Sequence, residues 1–196
     1  MILLNKKHFS LTNITNPPRQ IYSLIVKNLP NSIFSKLDFL FLKNIVKKKI
    51  LQVYVIKKKE RFSCVITITT YENYNMLRNS IILYLLKNPI KILLNIKFIF
   101  DVINRDKNEV ESYNNNKYLH LLHFIILKKQ FNEISLKAKD NLINSFLKEI
   151  VKKNNANHIY LCYEKNNLKA HKYYKRNKFK IYKKNKKVIF IKKRVI

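Results

Sequence analysis

The sequence predicts an α/β (α+β) fold, a single sheet of six to seven strands layered with helices. Three observations carry this expectation. Runs rich in β-branched and aromatic residues alternate along the chain with runs whose apolar residues recur every three to four positions. Residues 52–56 and 62–70, joined by the polar run 57–61, read as a hairpin. Residues 118–127 form the most apolar run of β-type residues, which suits a central strand inside a sheet.

Taken in order, residues 8–12 form a short first strand, ended by the polar turn 13–16 and by Pro17 and Pro18. Proline commonly opens a helix, and Ile21, Leu24, Ile25 and Val26 mark one helical face over residues 19–27. After Pro30 a second helix carries Ile33, Phe34, Leu37, Leu40, Phe41 and Ile45 at steps of three and four. The hairpin follows, then helical spacing over 74–86, a break at Pro89, more helix over 90–103 and a charged, Asn-rich loop over 104–117. Beyond the central strand, Leu142, Phe146, Leu147 and Ile150 define a helix over 138–151. A strand at 158–163, a helix at 167–176 and two closing strands at 179–182 and 188–191 complete the order. At 196 residues the chain fits one domain, residues 1–196, with one core.

The composition is unusual in two ways. Lys and Arg number 41 against 11 Asp and Glu, a formal charge of +30, and glycine is absent. Lys, Asn and Ile crowd a chain that has no Gly or Trp and only three Ala, the pattern of strongly AT-biased codon drift. A specific nucleic-acid partner predicts basic residues gathered on one face or in an arm. Here Lys is spread from Lys6 to Lys193, so drift is favoured and only nonspecific, salt-sensitive polyanion binding is expected. Cys64 and Cys162 form no disulfide framework, and the five histidines show no metal-ligand spacing, so no metal is expected and a reducing, cytoplasmic setting fits. The longest apolar stretches are broken by Lys87, Lys91, Asn95 and Lys97, so no membrane span is expected.

The most informative residues lie near the C-terminus. Ile159-Tyr160-Leu161 is followed, after five residues, by Asn167-Leu-Lys-Ala170-His-Lys-Tyr173-Tyr174-Lys-Arg-Asn-Lys-Phe179. On spacing alone Asn167 is an N-cap that starts a helix, Ala170 lets that helix approach its neighbours, and Tyr174 is a half-buried aromatic. The segment resembles the GNAT superfamily of acetyltransferases, in which a strand precedes Asn-x-x-Ala-x-x-aromatic-Tyr-x-x-x-Gly-Phe. Lys178 stands where that glycine usually sits. The resemblance implies a three-layer sandwich whose mixed, mostly antiparallel sheet has helices on both faces, and acetyl-CoA as cosubstrate. It further implies that Asn167, with Ala170 and Tyr173 beside it, meets the pantetheine arm, and that Tyr174 protonates the departing thiolate as a general acid.

The same resemblance places the pyrophosphate loop after the central strand, at Ile126 and Leu127 and then Gln130, Glu133, Ile134, Ser135 and Ala138. Family members carry Gln or Arg, two residues, Gly, one residue, then Gly or Ala there, because bare amides at a helix N-terminus bind phosphate. Two registers compete. Gln130 takes the first position with Glu133 and Ser135 at the glycine sites, or Glu133 takes it with Leu136 and Ala138 following. Either way the first glycine is lost, which weakens close phosphate approach, while Lys128, Lys129, Lys137 and Lys139 offer ionic replacement. The family's base sits on the central strand. His120 and His123 are the candidates here, expected on opposite faces because they are an odd number apart, and His120 is favoured.

In the N-terminal half, Leu29-Pro-Asn-Ser-Ile-Phe-Ser-Lys-Leu-Asp38 with Phe41-Leu42 is similar to a stretch of bacterial GNAT proteins of surface-sugar pathways, with Asp38 at a glycine position. Leu85-Leu86-Lys87-Asn88-Pro89 is similar to a second element of the same proteins. Together the resemblances imply acetyl transfer to an amine or hydroxyl of a small molecule or sugar. The alternatives are a protein N-terminal or lysine acetyltransferase, or a degenerate binding protein that keeps the fold without turnover. Family members often pair, so a homodimer is a further implication.

Overall fold

The computed structural model describes residues 8–30, 32–88, 118–184 and 188–195. The helix expected over 90–103 and the loop over 104–117 lie outside the described residues. The elements are β1 (Phe9–Ile14), α1 (Arg19–Asn28), a 3-10 turn (Ile33–Ser35), α2 (Phe39–Lys47), β2 (Gln52–Lys58), β3 (Arg61–Thr70) and α3 (Tyr71–Leu86). After these come β4 (Tyr118–Ile126), a 3-10 turn (Lys128–Phe131), α4 (Leu136–Lys153), β5 (His158–Glu164), α5 (Leu168–Arg176), β6 (Lys180–Lys184) and β7 (Val188–Arg194).

Helix starts are set by short polar side chains that accept first-turn amide protons. The Asp38 carboxylate accepts from Phe41 N at 2.7 Å, Thr70 Oγ1 from Asn73 N at 3.3 Å, Ser135 Oγ from Ala138 N at 3.2 Å and Asn167 Oδ1 from Ala170 N at 3.0 Å. The Asp38 cap explains one departure from the expected elements. The helix expected from Ile33 is instead a short turn followed by α2, because the Asp38 carboxylate gives the later start its cap.

The seven strands form one sheet in the order β1-β2-β3-β4-β5-β7-β6. Every neighbouring pair is antiparallel except β4 with β5, which the crossover through α4 forces to be parallel. Helices α4 and α5 cover one face, where Leu142, Ile143, Phe146, Leu147, Ile150 and Tyr174 pack on Ile66, Leu119, Ile159 and Ile191. Helices α1, α2 and α3 cover the other, where Ile21, Ile25, Leu42, Ile45, Leu77 and Ile81 pack on Val53, Val55, Val65 and Ile125. Each of these fully buried aliphatic side chains contributes about 1.5–3 kcal/mol, so the two apolar layers are what hold the sheet between helices.

The absence of glycine has a visible backbone consequence. Lys49, Lys59, Glu60, Asn155 and Lys178 have φ of 59°, 46°, 61°, 50° and 62°. These left-handed turns cost residues with a Cβ about 1–2 kcal/mol each, yet the chain keeps them because turns at hairpin and helix ends require that geometry.

Candidate active site

Strands β4 and β5 are bonded only at Tyr118 with His158, Leu119 with Ile159 and His120 with Tyr160. Beyond those pairs β4 runs on to Ile126 and β5 to Glu164, so the two central strands separate and leave a wedge in the middle of the sheet. Among the described residues, backbone groups along the β5-facing edge of β4 at 121–126 therefore have no strand partner, which makes that edge a template for an extended ligand with its own amides.

A β-bulge sits on the same arm. Thr67 opposes His123 and Ile68 opposes Leu121, so Leu122 is an extra residue in β4. Its effect is to turn side chains. Leu119 and Leu121 pack on the α4 and α5 face, while Leu122 and Ile125 pack on the α1 to α3 face. His123, paired with Thr67, faces the latter side, and so does His120, whose ring lies among Tyr71 and Tyr74 of α3. The two histidines thus share one face. Strict alternation, which predicts opposite faces, fails because the bulge adds one residue between them.

Their environments differ. His120 stands at the apex of the wedge, its ring 4.6 Å from that of Tyr74 and 5.2 Å from that of Tyr160. Burial among these rings pushes its pKa down to about 4. His123 has polar partners on both sides. Its Nε2 lies 2.6 Å from Ser32 Oγ and its Nδ1 lies 2.7 Å from Thr67 Oγ1, with the Phe34 ring edge-on at 4.7 Å. Full burial lowers its pKa to about 3. Both imidazoles are therefore neutral near pH 7.

The opposite face of the wedge is spanned by α5. Tyr173 reaches the β4 arm, 5.3 Å from Phe124 between ring centres, and Tyr174 reaches the β5 arm, 5.4 Å from Tyr163. Two consecutive aromatics thus straddle the gap. Burial raises both phenol pKa values well above the ordinary one, so each keeps its proton. Among the described residues the Tyr174 hydroxyl has no hydrogen-bond partner, and the Tyr173 hydroxyl is buried without one. Ala170 packs half-buried against the same core, and the exposed Asn167 caps the helix as expected. The far end of α5 is clamped: Arg176 pairs with Asp140 of α4, and the buried Asn177 accepts from Asn144 Nδ2 at 2.6 Å. Lys178, φ 62°, occupies the left-handed position just beyond the helix.

The β4–α4 connection shows where the residues of both registers fall. Leu127 N still bonds Ser63 O at 2.9 Å, Gln130 lies in the 3-10 turn, and Ile134 folds onto the core. Helix α4 begins at Leu136 with Ser135 as its cap, so Leu136 and Ala138 fall in the first helical turn, where amides lack intrahelical acceptors. Glu133 is exposed and held by Lys58 Nζ at 2.5 Å, which lowers its carboxyl pKa and offsets its charge beside this helix end.

Thr67 is a residue that sequence reading passes over, and Ser32 enters it only as one position of the 29–38 stretch, with no role attached. Neither spacing nor charge marks them; only the bulge that turns His123 toward them does so. Among the described residues no group of His, Cys, Asp and Glu is arranged to hold a metal ion. Cys64 is buried, Cys162 is exposed, and no disulfide joins them.

A sheet split between its fourth and fifth strands, with a helix bridging the split on one face, is the architecture of the GNAT acetyltransferases, and this chain has that fold. Several solved structures share it. The N-acetyltransferase PseH of Campylobacter jejuni, in complex with acetyl coenzyme A, superposes with a TM-score of 0.51 at 16% identity, covering 95% of this chain and 98% of its own. A chimeric spermidine N-acetyltransferase built on that of Vibrio cholerae gives 0.54 at 13%, covering 96% of each chain. Aminoglycoside acetyltransferase AAC(6')-Ib, with coenzyme A and kanamycin, gives 0.59 at 8%, covering 95% and 94%. No protein-family model and no curated protein sequence matches the chain.

Proposed function

We propose that the protein is an acetyl-CoA-dependent acetyltransferase that acetylates an amine or hydroxyl of a small molecule or sugar. The observation that carries this reading is the wedge itself. It opens a passage through the sheet with a protonated phenol on one side, at Tyr174, and neutral imidazoles on the other. A donor held on one face and an acceptor on the other can meet only there.

The residues fit the cosubstrate. First-turn amides of α4 at Leu136 and Lys137 and the ammonium groups of Lys137 and Lys139 suit a pyrophosphate. The unpaired edge of β4 suits the two amides of a pantetheine arm, with Asn167 at the head of α5 on its other side. Bound acetyl-CoA supplies an activated acyl group on sulfur. Tyr174 is placed to give a proton to that sulfur as it leaves, which its raised pKa allows because the phenol is never ionised near neutrality. On the far face His120 and its tyrosine surround form an aromatic wall for an acceptor. Small-molecule acceptors also occur in the names of two proteins of the same fold, spermidine and kanamycin.

Calorimetry with acetyl-CoA, followed by free-thiol release over a panel of amines and amino sugars, tests the proposal. Binding with acceptor-dependent thiol release is expected. Thermal stabilisation by coenzyme A with no thiol release for any acceptor would indicate a binding protein without turnover.

A further inference from the structure

The Tyr174 side of the wedge has an evident proton donor, but the acceptor side needs a group that takes a proton from the attacking nitrogen or oxygen. We infer that Ser32, His123 and Thr67 form a proton relay in which Ser32 touches the acceptor and His123 receives the proton. This rests on the acetyl-transfer reading and adds to it a role for Ser32 that the sequence did not assign.

Three elements meet to build the relay. His123 lies on the arm of β4 that has already left β5, and the bulge at Leu122 turns it toward the α1 to α3 face. Thr67 stands directly opposite on β3, and Ser32 is delivered by the turn that follows α1. The relay requires one of the two imidazole tautomers. Ser32 Oγ accepts from Phe34 N at 3.3 Å and, in the tautomer we assign, donates its own hydrogen to His123 Nε2, 2.6 Å away. With Nε2 accepting, the imidazole hydrogen resides on Nδ1 and is donated to Thr67 Oγ1 at 2.7 Å. A hydroxyl, a base and a group that orients the base are thus in line, the arrangement that activates a hydroxyl in many enzymes.

The division of labour follows from burial. His123 is only 4% exposed and both ring nitrogens are engaged, so an acceptor cannot reach the imidazole. Ser32 is half-buried, more accessible than His123, so the contact falls to its hydroxyl. His123 and Thr67 are accordingly positioning residues that act through Ser32. In the transfer step a neutral amine or hydroxyl attacks the acyl carbon, forming the new bond as the carbon–sulfur bond breaks. The nucleophile's proton passes to Ser32 Oγ as the Ser32 hydrogen passes to Nε2, and sulfur takes the Tyr174 proton. The imidazolium then releases one proton to water and the tyrosinate recovers one, so the cycle balances. His120 lies against the rings of Tyr74 and Tyr160, whereas His123 is hydrogen-bonded through both ring nitrogens, which makes it the better built of the two.

Two measurements on the 196-residue chain test the relay. Nitrogen-15 NMR of the histidine side chains needs neither cosubstrate nor acceptor. It should find His123 with hydrogen on Nδ1 and an unprotonated Nε2 whose resonance moves in Ser32→Ala; hydrogen on Nε2 would overturn the relay. Thiol release from acetyl-CoA with spermidine and with kanamycin as probes should fall about 100-fold in kcat for Ser32→Ala. KM for acetyl-CoA should hold, Ser32→Thr should restore most of the rate, and Thr67→Val should lower kcat with His123 still folded in place by its melting curve. Wild-type rates in Ser32→Ala, with acetyl-CoA binding intact, would overturn the relay alone. Failure of acetyl-CoA to bind the wild type would instead overturn the acetyl-transfer reading beneath it.

Discussion

Lys178 shows how a single residue records a backbone constraint. Its φ of 62° puts it in the region where glycine has no steric cost, and glycine is what the resembling family carries at that point of the motif. Lys178→Gly should therefore raise stability by about 1 kcal/mol, read as an increased denaturation midpoint with an unchanged slope; a decrease would mean that the lysine side chain contributes more than its backbone costs. Tyr174→Phe should leave the melting temperature nearly unchanged, since the ring stays among Tyr163, Tyr173 and Phe179. Its turnover should fall by about 100-fold if the phenol is the acid. The histidines make a pH prediction with a definite sign. His120, His123 and His158 have pKa values lowered by burial, so near pH 6 to 4 the unfolded chain binds protons that the folded chain does not. Their contribution is complete above about pH 6.5 and is lost as pH falls toward 4 and then 3. The melting temperature should thus drop between pH 7 and 5, and His123→Gln should make that drop shallower.

Among the elements, α5 is the one on which the site depends. Its N-terminus is fixed by the Asn167 cap, its middle lies across the wedge, and its C-terminal end is clamped to α4 by Arg176 with Asp140 and by Asn177 with Asn144. Asp140 is buried, with 7% of its side chain exposed, whereas Arg176 is 41% exposed, so the pair is partly screened. Asp140→Asn should cost about 1–2 kcal/mol in chemical denaturation and loosen α5 over the wedge, raising KM for acetyl-CoA more than it lowers kcat. Elements were also what the sequence disclosed best. Apart from the start of α2, apolar spacing locates the described helices and strands to within a few residues, because the face that each buries is written into its periodicity. The Asn167 to Phe179 motif marks α5 and its two tyrosines for the same reason: cap, small residue and aromatics are all local. What stayed hidden was non-local. A bulge depends on how β3 and β4 register across some fifty intervening residues, so the shared face of His120 and His123, and the meeting of His123 with Ser32 and Thr67, cannot be read from spacing. The start of α4 was equally ambiguous until the Ser135 cap fixed which residues stand in its first turn.

Across the whole molecule the dominant quantity is charge. A formal +30 on 196 residues means strong self-repulsion in the folded state, offset only locally by pairs such as Lys58 with Glu133 and Lys153 with Glu149. Adding salt should screen it: the melting temperature should rise between about 0.05 and 0.5 M sodium chloride, whose screening lengths are roughly 14 and 4 Å. A fall would show that attractive pairs outweigh repulsion. The same charge attracts any polyanion, so retention of a phosphorylated ligand at low salt does not by itself speak for a built site. Among the described residues no helix is long and apolar enough to cross a membrane. The split sheet is the feature that the charge cannot imitate, and it is tested most directly by a crystal structure with coenzyme A bound at about 0.3 M salt. The pantetheine arm should lie along β4 at residues 121–126 with its sulfur within hydrogen-bonding distance of the Tyr174 hydroxyl; coenzyme A seated anywhere outside the wedge would contradict the proposed function.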